Sequence, residues 1–545
     1  MPTGIMLTVP CFHLYQLVSG GTMPILHAHR VSFRLNTGES LFSELSFSID
    51  SKLTALVGRN GAGKSVLASI LAGECQPDLG SVSCRANLGY FRQQEPNRNK
   101  LQSVAQFMEV EHQLLALDRV EQGQASLEDI DTIGDNWHIR ETLESQLLAI
   151  NLNHTLHCPC AQLSGGEMAK LRLQKLFNSD ADLLILDEPS NHLDNQGKSW
   201  LIEQIQGSTA QILIISHDRE ILNYVEVIYE LNTLGLTQHS GNYTSYEAQK
   251  RSRLNAIDRK LANEKLKHKQ IRQQAQMSHE KAQKRAASGT RLRRSGSQAK
   301  VLLNTMRDRA EQSASTRATQ RDNQLSQNAA TLAELTQQRE TLKPQTLHLN
   351  SVIEKQHLQL RVEELTLPYN SINPLNFLLS TGDKLHLSGN NGTGKSTLIK
   401  VLLGELAPAT GLVYRNTPLF YLDQYFDLLK SDLSLLENIS HYCPALDEYQ
   451  SRTLLAGIGF KAQSVHRNVH LLSGGEKMKL CILIVTNQTP LPLLLLDEPD
   501  NHLDIASKQL LATALNQYPG SFILVSHDKA FIKESGVTCI QALSN

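Results

Sequence analysis

The chain has 545 residues, 40% of them hydrophobic and 20% charged, which leaves room for several ordinary cores. A formal net charge of −1 excludes a polycation that meets acidic partners with its whole surface. Eight cysteines without regular spacing exclude a disulfide scaffold and suggest free thiols in a reducing, cytoplasmic setting, and no apolar run approaches the roughly 18–20 residues of a membrane-spanning helix.

Residues 1–22 carry no Lys, Arg, Asp or Glu, and Pro10 interrupts their apolar stretch, so they read as an N-terminal extension without an assigned role. A short apolar strand, Leu53 to Val57, then runs into Gly58-Arg59-Asn60-Gly61-Ala62-Gly63-Lys64-Ser65 and an apolar helix. That context marks a phosphate loop, whose glycines let backbone N–H groups turn around phosphate oxygens at a helix N-terminus. Gln93 follows, and the polar, acidic stretch from about Leu114 to Asp135 reads equally as a surface loop or helical hairpin and as a small docking arm. His157-Cys158-Pro159-Cys160 lacks a second ligand pair at metal spacing and reads as a loop before a helix. Leu163-Ser164-Gly165-Gly166-Glu167 opens that helix. Leu186-Asp187-Glu188-Pro189 ends a strand of nearly pure Leu and Ile, and His217 follows the apolar strand Ile212–Ile215.

The stretch 247–355 differs in kind. From Glu247 to Arg317, 19 Lys or Arg stand against 6 Asp or Glu, a surplus of 13 positive charges that the rest of the chain balances. Lys, Arg, Gln and Ala favour helix, and Pro is absent until Pro344. Leu254, Ile257, Leu261 and Ile271 form one partial apolar seam; Leu325, Leu332, Leu335 and Leu342 form another. The small residues from Ala286-Ala287-Ser288-Gly289 to Ser295-Gly296-Ser297 interrupt them. The expectation is a helical hairpin with a basic tip at Arg291, Arg293 and Arg294, the candidate RNA contacts.

Beyond it the first half returns. Gly389-Asn390-Asn391-Gly392-Thr393-Gly394-Lys395-Ser396, then Thr397, lies 331 residues after the first phosphate loop, as Gln424 does after Gln93. Leu472-Ser473-Gly474-Gly475-Glu476 repeats at 309, and Asp497-Glu498 and His527 repeat at 310. The first copy therefore carries 22 extra residues between its Gln and its Leu-Ser-Gly-Gly-Glu. The division reads as an extension (1–22), a first α/β domain (23–246), a helical linker (247–355) and a second α/β domain (356–545).

The repeated motifs carry one chemistry. Lys64 and Lys395 suit β- and γ-phosphates, and the hydroxyls of Ser65 and Ser396 suit Mg²⁺. Asp187 and Asp497, at the carboxyl edge of a parallel sheet, are placed to orient the metal shell, with Gln93 and Gln424 completing it. Glu188 and Glu498 come next as general base or water-positioning groups. A lone His after a strand is usually structural. Here both copies place it 29 residues after the Glu, which points His217 and His527 at the γ-phosphate or its attacking water.

Leu-Ser-Gly-Gly-Glu behind a phosphate loop resembles the ABC ATPases. The resemblance implies that each signature caps nucleotide held by the other domain: Lys64 and Glu188 facing Ser473, Gly474, Gly475 and Glu476, and Lys395 and Glu498 facing Ser164, Gly165, Gly166 and Glu167. It implies ATP and Mg²⁺ as cofactors, and halves that pair on ATP and part on hydrolysis. Asp-Glu-Pro-Ser190-Asn191-His192-Leu193-Asp194, Asp-Glu-Pro-Asp500-Asn501-His502-Leu503-Asp504 and the run Gly241-Asn242-Tyr243-Thr244-Ser245-Tyr246 with Gln249-Lys250 resemble the ABC-F branch over residues 23–545. That branch has no membrane domain. It implies ribosome and rRNA as partner, at the tRNA exit site, with the linker toward P-site tRNA and the peptidyl-transferase centre. The role would be translation regulation or antibiotic protection.

Three departures stand out. Ser190 replaces a usual Thr mildly, whereas Asp500 adds a carboxylate beside the second site and is expected to slow it. Tyr369 falls where an adenine-stacking aromatic is usual, but Leu35 falls there in the first copy. The first-copy insertion is short for a large ribosome-contacting arm. Two other readings remain at this level: a chromosome-maintenance ATPase using the basic hairpin on branched DNA, and an exporter's ATP-binding subunit, which leaves the linker unexplained.

Overall fold

Strands of unbroken Leu, Ile and Val belong inside a parallel sheet covered on both faces, and the computed structural model contains two such sheets. It describes residues 25–92, 102–295, 315–339 and 357–543, apart from positions 36, 37, 39, 151, 153, 154, 192, 233, 234, 317, 318, 321, 337, 369–372, 424, 425, 427, 461, 489 and 502. In the first sheet the order is Leu88–Phe91, Leu183–Asp187, Gln211–Ile215, Leu53–Gly58, Val227–Asn232 and Gly235–Ser240, with only the last pair antiparallel. In the second, Leu419–Leu422, Leu493–Asp497, Phe522–Val525, Lys384–Ser388 and Cys539–Ala542 run parallel in the equivalent order. The duplication read from motifs is thus repeated in topology.

Each domain adds a three-stranded antiparallel sheet: Ser40–Ile49, Leu26–Arg34 and Leu79–Cys84 in the first, Leu375–Ser380, Leu358–Thr366 and Thr410–Arg415 in the second. Register decides where the chemistry falls. Asp187 pairs with Ile215 and Asp497 with Val525, so each carboxylate is level with the strand end that leads into His217 or His527. Cys158 and Cys160 are buried in the first domain's core. The first-copy insertion is a helical hairpin, Glu111–Glu121 and Leu127–Ile133. It is closed by Ala116, Leu117 and Ile133 and by an Arg119–Asp129 ion pair.

The linker begins as one helix, Tyr243–Ser295. Its buried Ile257 and Leu261 belong to the expected seam. Asp258 pairs with Arg339, and Glu264 and His268 with Asn328, so the returning segment runs antiparallel. Leu342 lies outside the described residues. One expectation is corrected: Ala286 to Ser295 does not break the helix. Ala, Arg and Leu there are strong helix formers, and a single Gly costs only about 1 kcal/mol. Arg291, Arg293 and Arg294 sit near the end of this helix; their side chains, and Gly296 and Ser297 of the expected break, lie outside the described residues.

The root of this helix is fixed by a buried acid. Burial disfavours the Glu230 carboxylate, but His239, Lys250 and Tyr246 hold its pKa down to about 2, with Lys250 Nζ at 2.6 Å. A depressed carboxyl pKa stabilises the fold above the unfolded value near 4.5 and loses that contribution as pH falls toward 2. Glu230→Gln is expected to cost about 2 kcal/mol at neutral pH. The difference from the parent should shrink between pH 4.5 and 2, as denaturant melts across that range would read.

Candidate functional site at the domain boundary

Both phosphate loops fold by the same local rule. Gly63 and Gly394 take φ 92° as they cap the helices Lys64–Leu71 and Lys395–Leu403, a left-handed conformation that favours glycine. Thr397 lies in the first turn of the second helix. A Cβ on Gly61 or Gly392 would meet nothing within 4 Å, so the outer face of each loop is open. Lys64 Nζ donates to the carbonyls of Gly58 and Arg59 at 2.9 and 3.1 Å. Lys395 Nζ does the same to Gly389 and Asn390 at 2.7 and 2.9 Å, with His527 Nε2 3.4 Å away. Burial lowers both lysine pKa values, against the nearby carboxylates that raise them.

The acids behind the loops sit as the repeat requires. Ser396 Oγ donates to Asp497 Oδ2 at 3.1 Å, and Ser65 bonds Asp187 in the first copy. Burial raises both aspartates. Asp187 Oδ1 has no hydrogen-bond partner among the described residues. A hydroxyl and a carboxylate with a spare buried oxygen form the hard-oxygen donor set that Mg²⁺ takes, so the residues fit that ion. Gln93 and Gln424 lie outside the described residues, as does Tyr369; Leu35 is exposed.

Glu188 and Glu498 share a feature invisible in the sequence. Their φ values are 49° and 50°, left-handed backbone that costs a residue with a side chain about 1–3 kcal/mol. The strain is held by the N–H groups of Glu188 and Glu498, which donate to Ile215 O and Val525 O at 2.8 and 3.0 Å. It turns each carboxylate toward its histidine: His217 Nε2 is 3.5 Å from Glu188 Oε1, and His527 Nε2 is 3.7 Å from Glu498 Oε1. Burial pushes Glu188 up to about 7, against the pull of Lys64. It also holds His217 well below its ordinary value and His527 down to about 4. Both histidines are therefore neutral near pH 7. Among the described residues, Glu188 Oε1 and both ring nitrogens of His217 have no hydrogen-bond partner, an unusual concentration of unused polarity.

The two domains close on each other here. One cavity of about 930 Å³ is lined by Ser164, Gly165, Gly166 and Glu167 of the first domain and by Gly389 to Thr393 of the second. On the other side Asp504 accepts from Asn60 N at 2.9 Å, and Lys479, on the second signature helix, lies within electrostatic reach of Arg59. Asp194 accepts from Asn391 N in the mirror arrangement. Each phosphate loop is thus tied to the opposite domain. Ser164 and Ser473 are N-caps in capping boxes closed by Glu167 and Glu476. The signature glutamates, expected against nucleotide, have a helix-capping duty as well.

Sequence reading missed Lys170, Lys198, Lys479 and Lys508. Lys170 and Lys479 repeat at 309 and Lys198 and Lys508 at 310, so extending the repeat offset past the motifs finds them. Asp500 is buried with Lys508, Asp528 and Ser526, and burial raises it; its charge is also felt at Glu498, so the added carboxylate stands beside the second site as expected.

Known proteins resemble this chain over most of its length. The family described as ABC transporter matches residues 42–191 and 372–501. The chain is 30% identical over 499 residues to the probable ATP-binding protein YheS of Escherichia coli K12, covering 88% of this chain and 72% of that one. It is 30% identical over 518 residues to ABC transporter F family member 5 of Arabidopsis thaliana, covering 88% and 69%. Among solved structures, the complex of archaeal ribosomal stalk protein aP1 and archaeal ribosome recycling factor aABCE1 matches at TM-score 0.53 and 17% identity, over 94% of this chain and 87% of that one, a likeness of fold. Among the described residues no helix is long and apolar enough to cross a membrane.

Proposed function

The chain belongs to the ABC ATPases, in their F branch, and from that premise we propose that it couples ATP hydrolysis at two composite sites to an action on the ribosome. Lys64, Ser65, Asp187 and Glu188 with the signature at Ser473–Glu476 would hold one ATP and its Mg²⁺, and Lys395, Ser396, Asp497 and Glu498 with that at Ser164–Glu167 would hold the other. Bound Mg²⁺ supplies charge neutralisation at the phosphates; Glu188 and Glu498 direct the attacking water, and neutral His217 and His527 hydrogen-bond beside them.

The observation that carries the ribosomal part is the linker. Its first helix has 53 residues, about 80 Å at 1.5 Å per residue. Arg259, Lys260, Lys265, Lys267, Lys269 and Arg272 are exposed along it. Such a rod meets RNA through backbone and shape, releasing counterions from phosphates, and needs no base-reading motif. It enters the tRNA exit site and points at P-site tRNA and the peptidyl-transferase centre, in translation regulation or ribosome protection. The cytoplasm is where such a partner is found.

The test is sedimentation. The Glu188→Gln, Glu498→Gln double variant, held closed by ATP, is expected in the ribosomal pellet; its staying in the supernatant with ATP would sink the reading. Changing Lys265, Lys267, Lys269 and Arg272 to Gln in the same chain should flatten the slope of log affinity against log salt by about 0.7 for each phosphate that is no longer neutralised.

A further inference from the structure

Between the two sites lies a buried charge cluster that phosphate binding does not use. Lys198 and Lys508 occupy equivalent positions of the two copies, on the helices Asn195–Gly207 and Ile505–Gln517. Both are buried, and both line the shared cavity. Lys198 Nζ lies 2.7 Å from Asp218 Oδ2 of its own domain and reaches the backbone carbonyl of His527, in the other domain, at 3.5 Å. Lys508 Nζ lies 3.1 Å from Asp528 Oδ2 of its own domain, and its charge is felt across the boundary at Glu188 and His217.

Each lysine is therefore anchored to the aspartate that follows its own histidine; Lys198 also reaches the His527 backbone across the boundary, and Lys508 lines the same cavity as His217 and Glu188. Packing does not require this. A buried ion pair is often no more stabilising than well-packed hydrophobic residues of similar volume, so two desolvated ammonium groups at one boundary call for another role. The cluster is also unequal. Asp500 gives Lys508 a second carboxylate neighbour, where the first copy has Ser190.

We propose that Lys198 and Lys508 are reciprocal positioning residues, each supporting from across the boundary the histidine and glutamate of the opposite ATP site. Lys508 serves the site of Glu188 and His217, and Lys198 the site of Glu498 and His527. A site then lacks its lysine until the domains close, which ties hydrolysis to pairing. The inference rests on Glu188 and Glu498 being the water-directing carboxylates.

The experiment measures first-turnover phosphate formation in the full chain, with one site disabled at a time. With Glu498→Gln, hydrolysis is left to Glu188, and Lys508→Met is expected to slow it about tenfold more than Lys198→Met does. With Glu188→Gln the order reverses. Lys→Arg at the same positions should restore most of the rate, because a cation again meets Asp218 or Asp528. Where a Met variant loses its cooperative melt, Lys→Gln replaces it with the same expectation. An unchanged rank order in the two backgrounds, or equal small losses, overturns the lysine assignment alone. Wild-type turnover in both parent Glu→Gln variants overturns the carboxylate reading and the lysine assignment together.

Discussion

Exchanging Glu188 and Glu498 together for Gln is expected to lower steady-state ATP hydrolysis by about a hundredfold or more while leaving ATP binding intact. Gln keeps the shape and one hydrogen-bonding oxygen, so the strained backbone at φ 49° and 50° and its hydrogen bonds persist. It loses the basic oxygen that takes or directs the proton of the attacking water. The exchange also removes a folding penalty, since burial pushes the Glu188 carboxyl up to about 7 and raises that of Glu498. A neutral isostere escapes that desolvation, so the nucleotide-free variant should melt a few degrees higher than the parent, on the order of 1–2 kcal/mol. Phosphate release and a thermal melt on one preparation check both halves. Lost hydrolysis together with a lower melting temperature would assign the carboxylates to structure instead of chemistry.

Asp194→Ala should have the largest effect on stability and strike the second ATP site as well. The carboxylate has three duties: it caps the helix Asn195–Gly207 through Gly197 N at 2.9 Å, faces buried Lys170 at 3.5 Å, and accepts from Asn391 in the opposite phosphate loop. Losing the cap costs about 1 kcal/mol. Leaving Lys170 buried and unpaired costs more, about 3 kcal/mol. The phosphate loop at Asn391 also loses its tie to the first domain, so ATP turnover should fall with stability. Asp194→Asn keeps a capping oxygen and loses the charge. It should recover most of the cap and little of the pair, placing it between Ala and the parent in a urea melt.

Much of this was legible in the sequence because it is local. Glycine at the phosphate loops, Ser at the signature helix starts and apolar runs before Asp187 and Asp497 each act within a few residues, and the repeat offsets tied them into two copies. The linker's charge was legible too; its continuity past Ala286 was not, because a cluster of small residues looks like a break while costing a long helix little. Other features depend on residues that meet only when the chain folds. Asp504 meets Asn60, and Lys198 meets His527, across sequence gaps no local pattern spans. The left-handed turn at Glu188 and Glu498 is held by the neighbouring strand, so no preference of Glu announces it.

By itself, then, the sequence determined which groups handle phosphate and that there are two sets of them, because those groups are specified by local backbone geometry and short spacings. The resemblance implied which set faces which; only the tertiary structure decided that Asp504 meets Asn60 and Asp194 meets Asn391 across the boundary, and that buried lysines stand between the sets. Pairing of that kind is settled by desolvation and charge complementarity at a boundary, where every contact joins residues hundreds of positions apart.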